Sequence, residues 1–214
     1  MIGMWIFTLS RWIVMGVARL WFRIEFEGTE HIPKAGPFLL APNHVSYLDP
    51  FWVSLPVGRP MRYMTWDEMT RKPIIGPLMR AYGAFPVDIR RGDRLALRRA
   101  ADQLQRGGGL VVFPEGGRTS TGELMSFKPG AILLALEAGV PIIPATILGG
   151  YEAYSRHHLL PRPRKVRVRY HPPLLLTLPP GEEVTKEFLR QQAVRLRSIV
   201  ASGFEGPPIA TPSE

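Results

Sequence analysis

The chain contains no cysteine, which excludes a covalent cysteine nucleophile and suits a reducing compartment without requiring one. It also lacks a Gly-x-Ser-x-Gly elbow, a Walker loop, a Gly-x-Gly-x-x-Gly turn and a His-Glu-x-x-His pair. The usual signatures of serine hydrolases, nucleotide-binding folds and zinc proteases are thereby missing. No helix-turn-helix, zinc knuckle or RNP-like aromatic strand is found, so the basic character is not assigned to nucleic acid. Acidic residues are few: 18 Asp and Glu stand against 27 Lys and Arg, a formal net charge of +9 over 214 residues. Attraction to something acidic is expected, whether anionic lipid, an acidic carrier protein or a phosphorylated substrate. Hydrophobic residues make up 45% of the chain, enough for the core of one domain.

What is present begins with Asn43-His44-Val45-Ser46-Tyr47-Leu48-Asp49, directly after the apolar run Pro37-Phe38-Leu39-Leu40-Ala41. Histidine titrates near neutrality, so it can take a proton from a hydroxyl and return it. A carboxylate that holds one ring nitrogen fixes the tautomer and stabilises the imidazolium. On a continuous helix, residues five apart sit about 140° apart around the axis, so His44 and Asp49 would not meet. Pro50 disfavours α conformation at Asp49, and Asp-Pro before an apolar run reads as an N-cap followed by the first helical residue. A loop from His44 to Leu48 and a helix starting near Pro50 are therefore expected, with the imidazole folded back onto Asp49. The plainer alternative is that Asp49 only caps the helix and His44 is a surface residue. A base with no dedicated nucleophile suggests that one substrate's own hydroxyl attacks the other substrate directly.

A second constellation follows the β-rich run Leu110-Val111-Val112-Phe113: Pro114-Glu115-Gly116-Gly117-Arg118-Thr119. Glycines after a strand let backbone N–H groups approach an anion, and Arg118 supplies a guanidinium that grips phosphate oxygens in pairs. Gly83 to Arg91 has the same form, an apolar strand emptying into Arg90 and Arg91. A fourth segment, Val140-Pro141-Ile142-Ile143-Pro144, is an apolar run punctuated by prolines.

Together the four segments resemble the glycerolipid acyltransferases, specifically the 1-acyl-sn-glycerol-3-phosphate (lysophosphatidate) acyltransferase family. The family's Asn-His-x4-Asp block is met by Asn43, His44 and Asp49, and its Phe-Pro-Glu-Gly-Thr/Ser-Arg block by Phe113, Pro114, Glu115, Gly116 and Arg118. The second block departs at Gly117, where the family usually has a hydroxyl residue. The arginine of the intervening block is Arg90 or Arg91, and the last block matches Val140 to Pro144. The resemblance implies transfer of a fatty acyl group from a thioester, acyl-CoA or acyl carrier protein, to the free hydroxyl of 1-acylglycerol 3-phosphate, giving phosphatidic acid. It implies His44 as general base and Asp49 as its orienting partner. Arg118, with Arg90 or Arg91 and Lys128, would bind the acceptor phosphate; Glu115 would organise the glycine loop, and N–H groups near Gly116 would serve as oxyanion donors. No metal and no bound cofactor are implied. Two other readings stand beside this one: acylation of another lysolipid, such as an ornithine lipid or lysophospholipid, and a non-catalytic lipid-binding scaffold.

Met1 to Phe22 holds three of the five tryptophans, Trp5, Trp12 and Trp21. At 100° per residue Thr8, Arg11, Arg19 and Arg23 share one sector and leave the rest apolar, the pattern of a helix lying in a membrane interface. A spanning helix would bury Arg11 at a cost of ~2.5–3.5 kcal/mol, a signal peptide would need a basic start that Met1-Ile2-Gly3-Met4 lacks, and a plain core helix is the third alternative. A peripheral or monotopic position on the cytoplasmic face of a membrane is expected. The basic groups Arg90 to Arg99 and Arg156 to Arg169 would add attraction to an anionic leaflet.

Further along, strands are expected at Phe22 to Phe26, Met61 to Trp66 and Val166 to Tyr170. Helices are expected after Asp93, ended by Gly107 to Gly109, over Ala131 to Ala138, and from about Phe188 to Gly203. The fold class is α/β, a mixed sheet flanked by helices, with site loops leaving the C-terminal ends of strands. Residues 1–22 are read as a membrane-interface helix, 23–203 as the acyltransferase domain and 204–214 as a disordered tail.

Overall fold

The computed structural model of the chain describes residues 4–66, 73, 75–87, 94–178, 181 and 183–205. The apolar run after Pro37 forms Phe38–Pro42 (β2), buried at every position. That is the pattern of a strand covered on both faces of a parallel sheet. Its parallel neighbours are Gly109–Val111 (β5) and Ile142–Leu148 (β6). Outside β5 lie Met61–Trp66 (β3) and Ala84–Val87 (β4), also parallel. Outside β6 lies Arg167–Tyr170 (β7), antiparallel to it, and then Glu25–Glu27 (β1), parallel to β7. The seven-stranded order is β1-β7-β6-β2-β5-β3-β4. The expected mixed α/β sheet is the one observed.

Because strand side chains alternate, β2 feeds two cores. Phe38 and Leu40 join Trp52, Ile143, Ile147, Val168 and Tyr170 on one face. Leu39 and Ala41 join Leu104, Leu110, Ile132, Leu134, Leu196 and Val200 on the other. Met4–Trp21 (α1) and the short Asp49–Trp52 (α2) cover the first face. Ile75–Ala81 (α3) stands between β3 and β4, and Arg94–Gln105 (α4) between β4 and β5. Together with α4, Gly130–Ala138 (α5) covers the second face. Gly150–Tyr154 (α6) returns to the first face through Ala153, and Lys186–Ser202 (α7) closes the second. Truncating a side chain such as Leu40, fully buried between sheet and helices, should cost about 2–5 kcal/mol.

Several boundaries differ from the sequence reading. The first strand is Glu25–Glu27, not Phe22 to Phe26, because α1 runs to Trp21 and the chain turns at Arg23, whose φ is +44°. Phe22 and Ile24 are buried as plugs under that turn rather than as strand residues. Gly109 opens β5 instead of ending α4, and α5 begins at Gly130. Asp93 as a cap, and the tail beyond Glu205, lie outside the described residues.

The first helix is seated on the domain. Met15 and Ala18 are buried in the core, and Arg11 Nε donates to Leu55 O at 2.8 Å. The sequence had placed Arg11 in the polar sector of an interfacial helix; its guanidinium in fact caps a carbonyl of the domain. Trp5, Leu9, Trp12, Ile13, Val17, Leu20 and Trp21 are exposed on the opposite side. Among the described residues no helix is long and apolar enough to cross a membrane.

Candidate active site

The C-terminal ends of β2, β5 and β6 lie side by side, and the loops leaving β2 and β5 form the site. Asn43 follows β2 directly. Its side-chain Nδ2 donates to Ile147 O at 3.0 Å and its Oδ1 accepts from Ile147 N at 2.7 Å. The amide thus imitates one more peptide rung between β2 and β6 and fixes where the next residue starts. That residue is His44. Its Nδ1 lies 2.8 Å from Asp49 Oδ2, its N–H donates to Glu115 Oε1 at 2.7 Å, and its carbonyl accepts from Thr119 N at 3.0 Å. The ring stacks on Phe113, with centroids 3.8 Å apart and planes 20° from parallel.

The loop reading of residues 44–48 holds, but Asp49 is not an N-cap. The helix begins at Asp49 itself, after Leu48, with no side-chain cap. The carboxylate points back along the chain: Oδ2 accepts from Val45 N at 2.6 Å and Ser46 N at 2.7 Å as well as from the imidazole. An oxygen that accepts from Nδ1–H leaves the other ring nitrogen, Nε2, as the proton acceptor. Burial pushes the His44 imidazole below its ordinary value, aided by Arg118 and Arg156, while Asp49 works in the opposite sense. Burial also pushes the Asp49 carboxyl up, against the pull of its hydrogen bonds from His44, Ser46 and Val45.

Glu115 joins the two loops. Besides His44 N it accepts from Met125 N at 3.2 Å, and burial raises it to about 7. Gly116 has φ +74°, and a Cβ there would lie 2.6 Å from Lys128 Nζ. The left-handed backbone favours glycine there, and the lysine side chain lies across the space a Cβ would take. The N–H of Gly116 donates to Phe113 O at 3.0 Å, so this group is taken up by the turn. The N–H groups of Gly117 and Arg118 make no hydrogen bond within the described residues.

Arg118 lies with its guanidinium carbon 3.5 Å from the centroid of the Tyr47 ring. Its Nη1 is buried without an acceptor among the described residues. The structure therefore brings His44, Asp49, Glu115, Gly116, Arg118 and Lys128 into one place. Arg90 and Arg91 lie outside the described residues.

Sequence reasoning missed several supporting residues. Tyr47 was legible only as a spacer between His44 and Asp49, yet it is the platform for Arg118. Arg156 donates to Arg118 O, and Tyr151 Oη donates to Ser120 O at 2.7 Å. From α7, Arg197 donates to Met125 O and Leu124 O, each at 2.9 Å, and fastens the loop whose backbone holds Glu115. In the sequence it was one of three arginines on that helix, with nothing to set it apart from Arg190 and Arg195.

The model of the Acyltransferase family matches residues 23–148, a span that holds His44, Asp49, Glu115, Gly116, Arg118 and Lys128. The chain belongs to that family. Among its relatives, the chloroplast 1-acyl-sn-glycerol-3-phosphate acyltransferase of Arabidopsis thaliana is 31% identical over 178 residues, 74% of this chain and 48% of that protein. The 1-acyl-sn-glycerol-3-phosphate acyltransferase of Borreliella burgdorferi is 26% identical over 70% of this chain and 61% of its own length. A lyso-ornithine lipid O-acyltransferase of Pseudomonas aeruginosa is 34% identical over 64% of this chain and 51% of its own length. The chain spans about half the length of the curated relatives it matches. The crystal structure of a 1-acyl-sn-glycerophosphate acyltransferase from Thermotoga maritima superposes with a TM-score of 0.70 over 95% of this chain and 84% of that one, at 24% identity. The two share the acyltransferase fold.

Proposed function

We propose that this acyltransferase-family chain works at a membrane surface, moving a fatty acyl group from a thioester to the free hydroxyl of 1-acylglycerol 3-phosphate. The observation that carries the reading is the meeting of two chemistries in one site: the His44–Asp49 pair and, beside it, the Tyr47-backed Arg118 with an unpaired Nη1. His44 Nε2 takes the proton of the acceptor hydroxyl as its oxygen attacks the thioester carbonyl. The tetrahedral oxyanion meets the N–H groups of Gly117 and Arg118, and on collapse the thiolate leaves and receives the proton from the imidazolium. Asp49 holds the tautomer and stabilises the imidazolium. No side chain carries the acyl group.

An imidazole kept below its ordinary value is neutral at pH 7 and ready to act as a base. Arg118 and Arg156 contribute to that depression. A phosphate bound at Arg118 offsets their charge and makes His44 more basic when the acceptor is in place. Glu115 remains a brace between the loops, since both of its oxygens accept backbone N–H groups.

The exposed apolar side of α1 supports a position on the membrane, with its tryptophans at headgroup depth on the cytoplasmic face. Acyl-CoA and acyl carrier protein both fit as donor. The P. aeruginosa relative keeps a lyso-ornithine lipid open as the acceptor, but such a headgroup balances one carboxylate with one ammonium, whereas the phosphate monoester carries a net negative charge that Arg118 and Arg156 attract more strongly. Incubating purified protein with lysophosphatidate and either donor, and identifying the lipid product by mass, tests the reading. Phosphatidic acid carrying the donor's chain is expected; absence of any product with both donors would refute it.

A further inference from the structure

Residues 155–166, between α6 and β7, carry a second feature of membrane-contacting type. Leu159 and Leu160 are adjacent and 95% and 75% exposed. They are not left out by a slack loop. His158 N donates to Ser155 O at 3.1 Å before them, and Arg162 N donates to Ala153 O at 2.8 Å after them. The tie holds two leucines at the tip of a fixed turn.

The tip is surrounded by Arg156, Arg162, Arg164 and Lys165, and no acidic residue occurs between Glu152 and Glu182. Arg156 donates to Arg118 O, and His157 Nε2 lies 3.0 Å from Ser120 O, so one end of the turn is fastened to the site loop. The other end meets the segment that follows the first helix: Val166 N donates to Phe22 O at 3.0 Å, and Glu25 N donates to Val166 O at 3.0 Å. The register agrees with this placement. Arg167 at the start of β7 pairs with Leu148 at the end of β6 and with Glu25 at the start of β1. The turn, the C-terminal end of α1 and the site loops thus share one edge of the sheet.

Not every cation nearby is available. Lys165 pairs with Glu25 at 2.6 Å, and Arg169 pairs with Glu27 at 2.7 Å. The basic strand face that the sequence suggested as a membrane contact is largely neutralised by β1, and positive charge gathers instead at Arg156, Arg162 and Arg164 around the leucines.

We infer that the Leu159–Leu160 turn inserts into an anionic lipid leaflet as a second contact, separate from α1, with Arg156, Arg162 and Arg164 on the headgroups. The inference rests on the membrane-surface reading above and adds to it. The turn and the end of α1 meet beside the site loops, so that together they hold Arg118 at headgroup level, where a lysophosphatidate phosphate lies. An acidic protein would satisfy the arginines but would leave two protruding leucines with no matching requirement; a leaflet takes both.

The absence of cysteine makes the test direct. Leu160→Cys carries an environment-sensitive fluorophore in the full chain, and Val194→Cys, on exposed α7 surface, is the control. Each is mixed with phosphatidylglycerol or phosphatidylcholine vesicles that contain no lysophosphatidate, so acceptor identity does not enter. With phosphatidylglycerol the label at 160 should brighten and be quenched by bilayer-buried quenchers, while the label at 194 stays unchanged. The Leu159→Asp/Leu160→Asp pair, with wild-type thermal melting, should bind these vesicles at least about tenfold more weakly. If the protein sediments with vesicles while the label at 160 stays in water, the turn is no contact and the membrane reading survives on α1 alone. If nothing sediments, both fail. If an acidic carrier protein shields the label and vesicles do not, the partner is that protein and the inference is wrong.

Discussion

The two loops that build the site are held in opposite ways. In the loop after β2, Asp49 gathers His44, Val45 and Ser46 within six residues of chain, and every bond to its Oδ2 is local. In the loop after β5, several anchors come from elsewhere: Glu115 reaches His44, Arg118 rests on Tyr47, and Arg197 holds Leu124 and Met125 from 73 and 72 residues away. On the proposed mechanism the first loop sets the proton chemistry, and Glu115, Thr119 and Phe113 brace His44 from the second. The second positions charge and depends on the whole fold. Damage to the first should therefore appear in turnover, and damage to the second in acceptor affinity and stability.

The largest effect is expected at His44. His44→Ala should lower turnover by ~10²–10⁴-fold while thermal melting stays near wild type, because the loop's other bonds to Asp49 remain. Asp49→Asn should lose both turnover and stability, since the carboxylate organises three donors. Comparable turnover in a folded His44→Ala protein would show that the local loop is not the proton-transfer site.

Arg118→Ala comes next. Loss of a charge-assisted phosphate contact should raise KM for lysophosphatidate by about 10–100-fold and leave KM for the donor nearly unchanged. Lysine should restore only part, as an ammonium lacks the paired geometry. Tyr47→Leu should give a weaker version of the same acceptor defect and Tyr47→Phe close to none, because the ring face carries the contact. Equal losses for donor and acceptor would mean that the two loops do not divide the labour as described.

Smaller still is the effect of Arg197→Met, which leaves the carbonyls of Leu124 and Met125 without their donor. A stability loss of about 1–3 kcal/mol in urea unfolding is expected, with a modest change in KM. No change would remove Arg197 from the account of the second loop.

A pH dependence of comparable size is expected as well. Glu115 is raised from 4.5 to about 7 by burial. Between those values the folded state holds a proton that the unfolded state has released, so its contribution is complete below pH 4.5 and is lost as pH rises through 7. The slope of stability against pH in that window should flatten in Glu115→Gln. An unchanged slope would mean that Glu115 is not the group titrating there.

The same contrast explains what the sequence made readable. The His44–Asp49 pair was legible because its partners are five residues apart and Pro50 marks the first turn of a helix that starts only after the loop from His44. Strand β3, Met61–Trp66, was found at its full length because its residues carry strong β preference. The mixed α/β sheet followed from alternating elements. By contrast, Tyr47 under Arg118, Arg197 behind Met125 and the Asn43 rung to Ile147 all join segments whose proximity only the fold creates. Arg11 shows the same limit on a helix. Periodicity put it in a polar sector, but nothing local revealed that Leu55 O faces it. In β7, alternation placed Arg167 and Arg169 on one face, and the acidic strand that meets them lies 142 residues earlier.

The central claim is that the Arg118 site selects a phosphate headgroup for the hydroxyl that His44 activates. One competition reaction measures it: equal concentrations of lysophosphatidate and lyso-ornithine lipid with a single acyl donor, products counted by mass, for wild type and Arg118→Ala. The account predicts phosphatidic acid in large excess with wild type, and loss of most of that preference in the variant. Preferential acylation of the ornithine lipid by wild type, or a preference for lysophosphatidate that persists in Arg118→Ala, would contradict it.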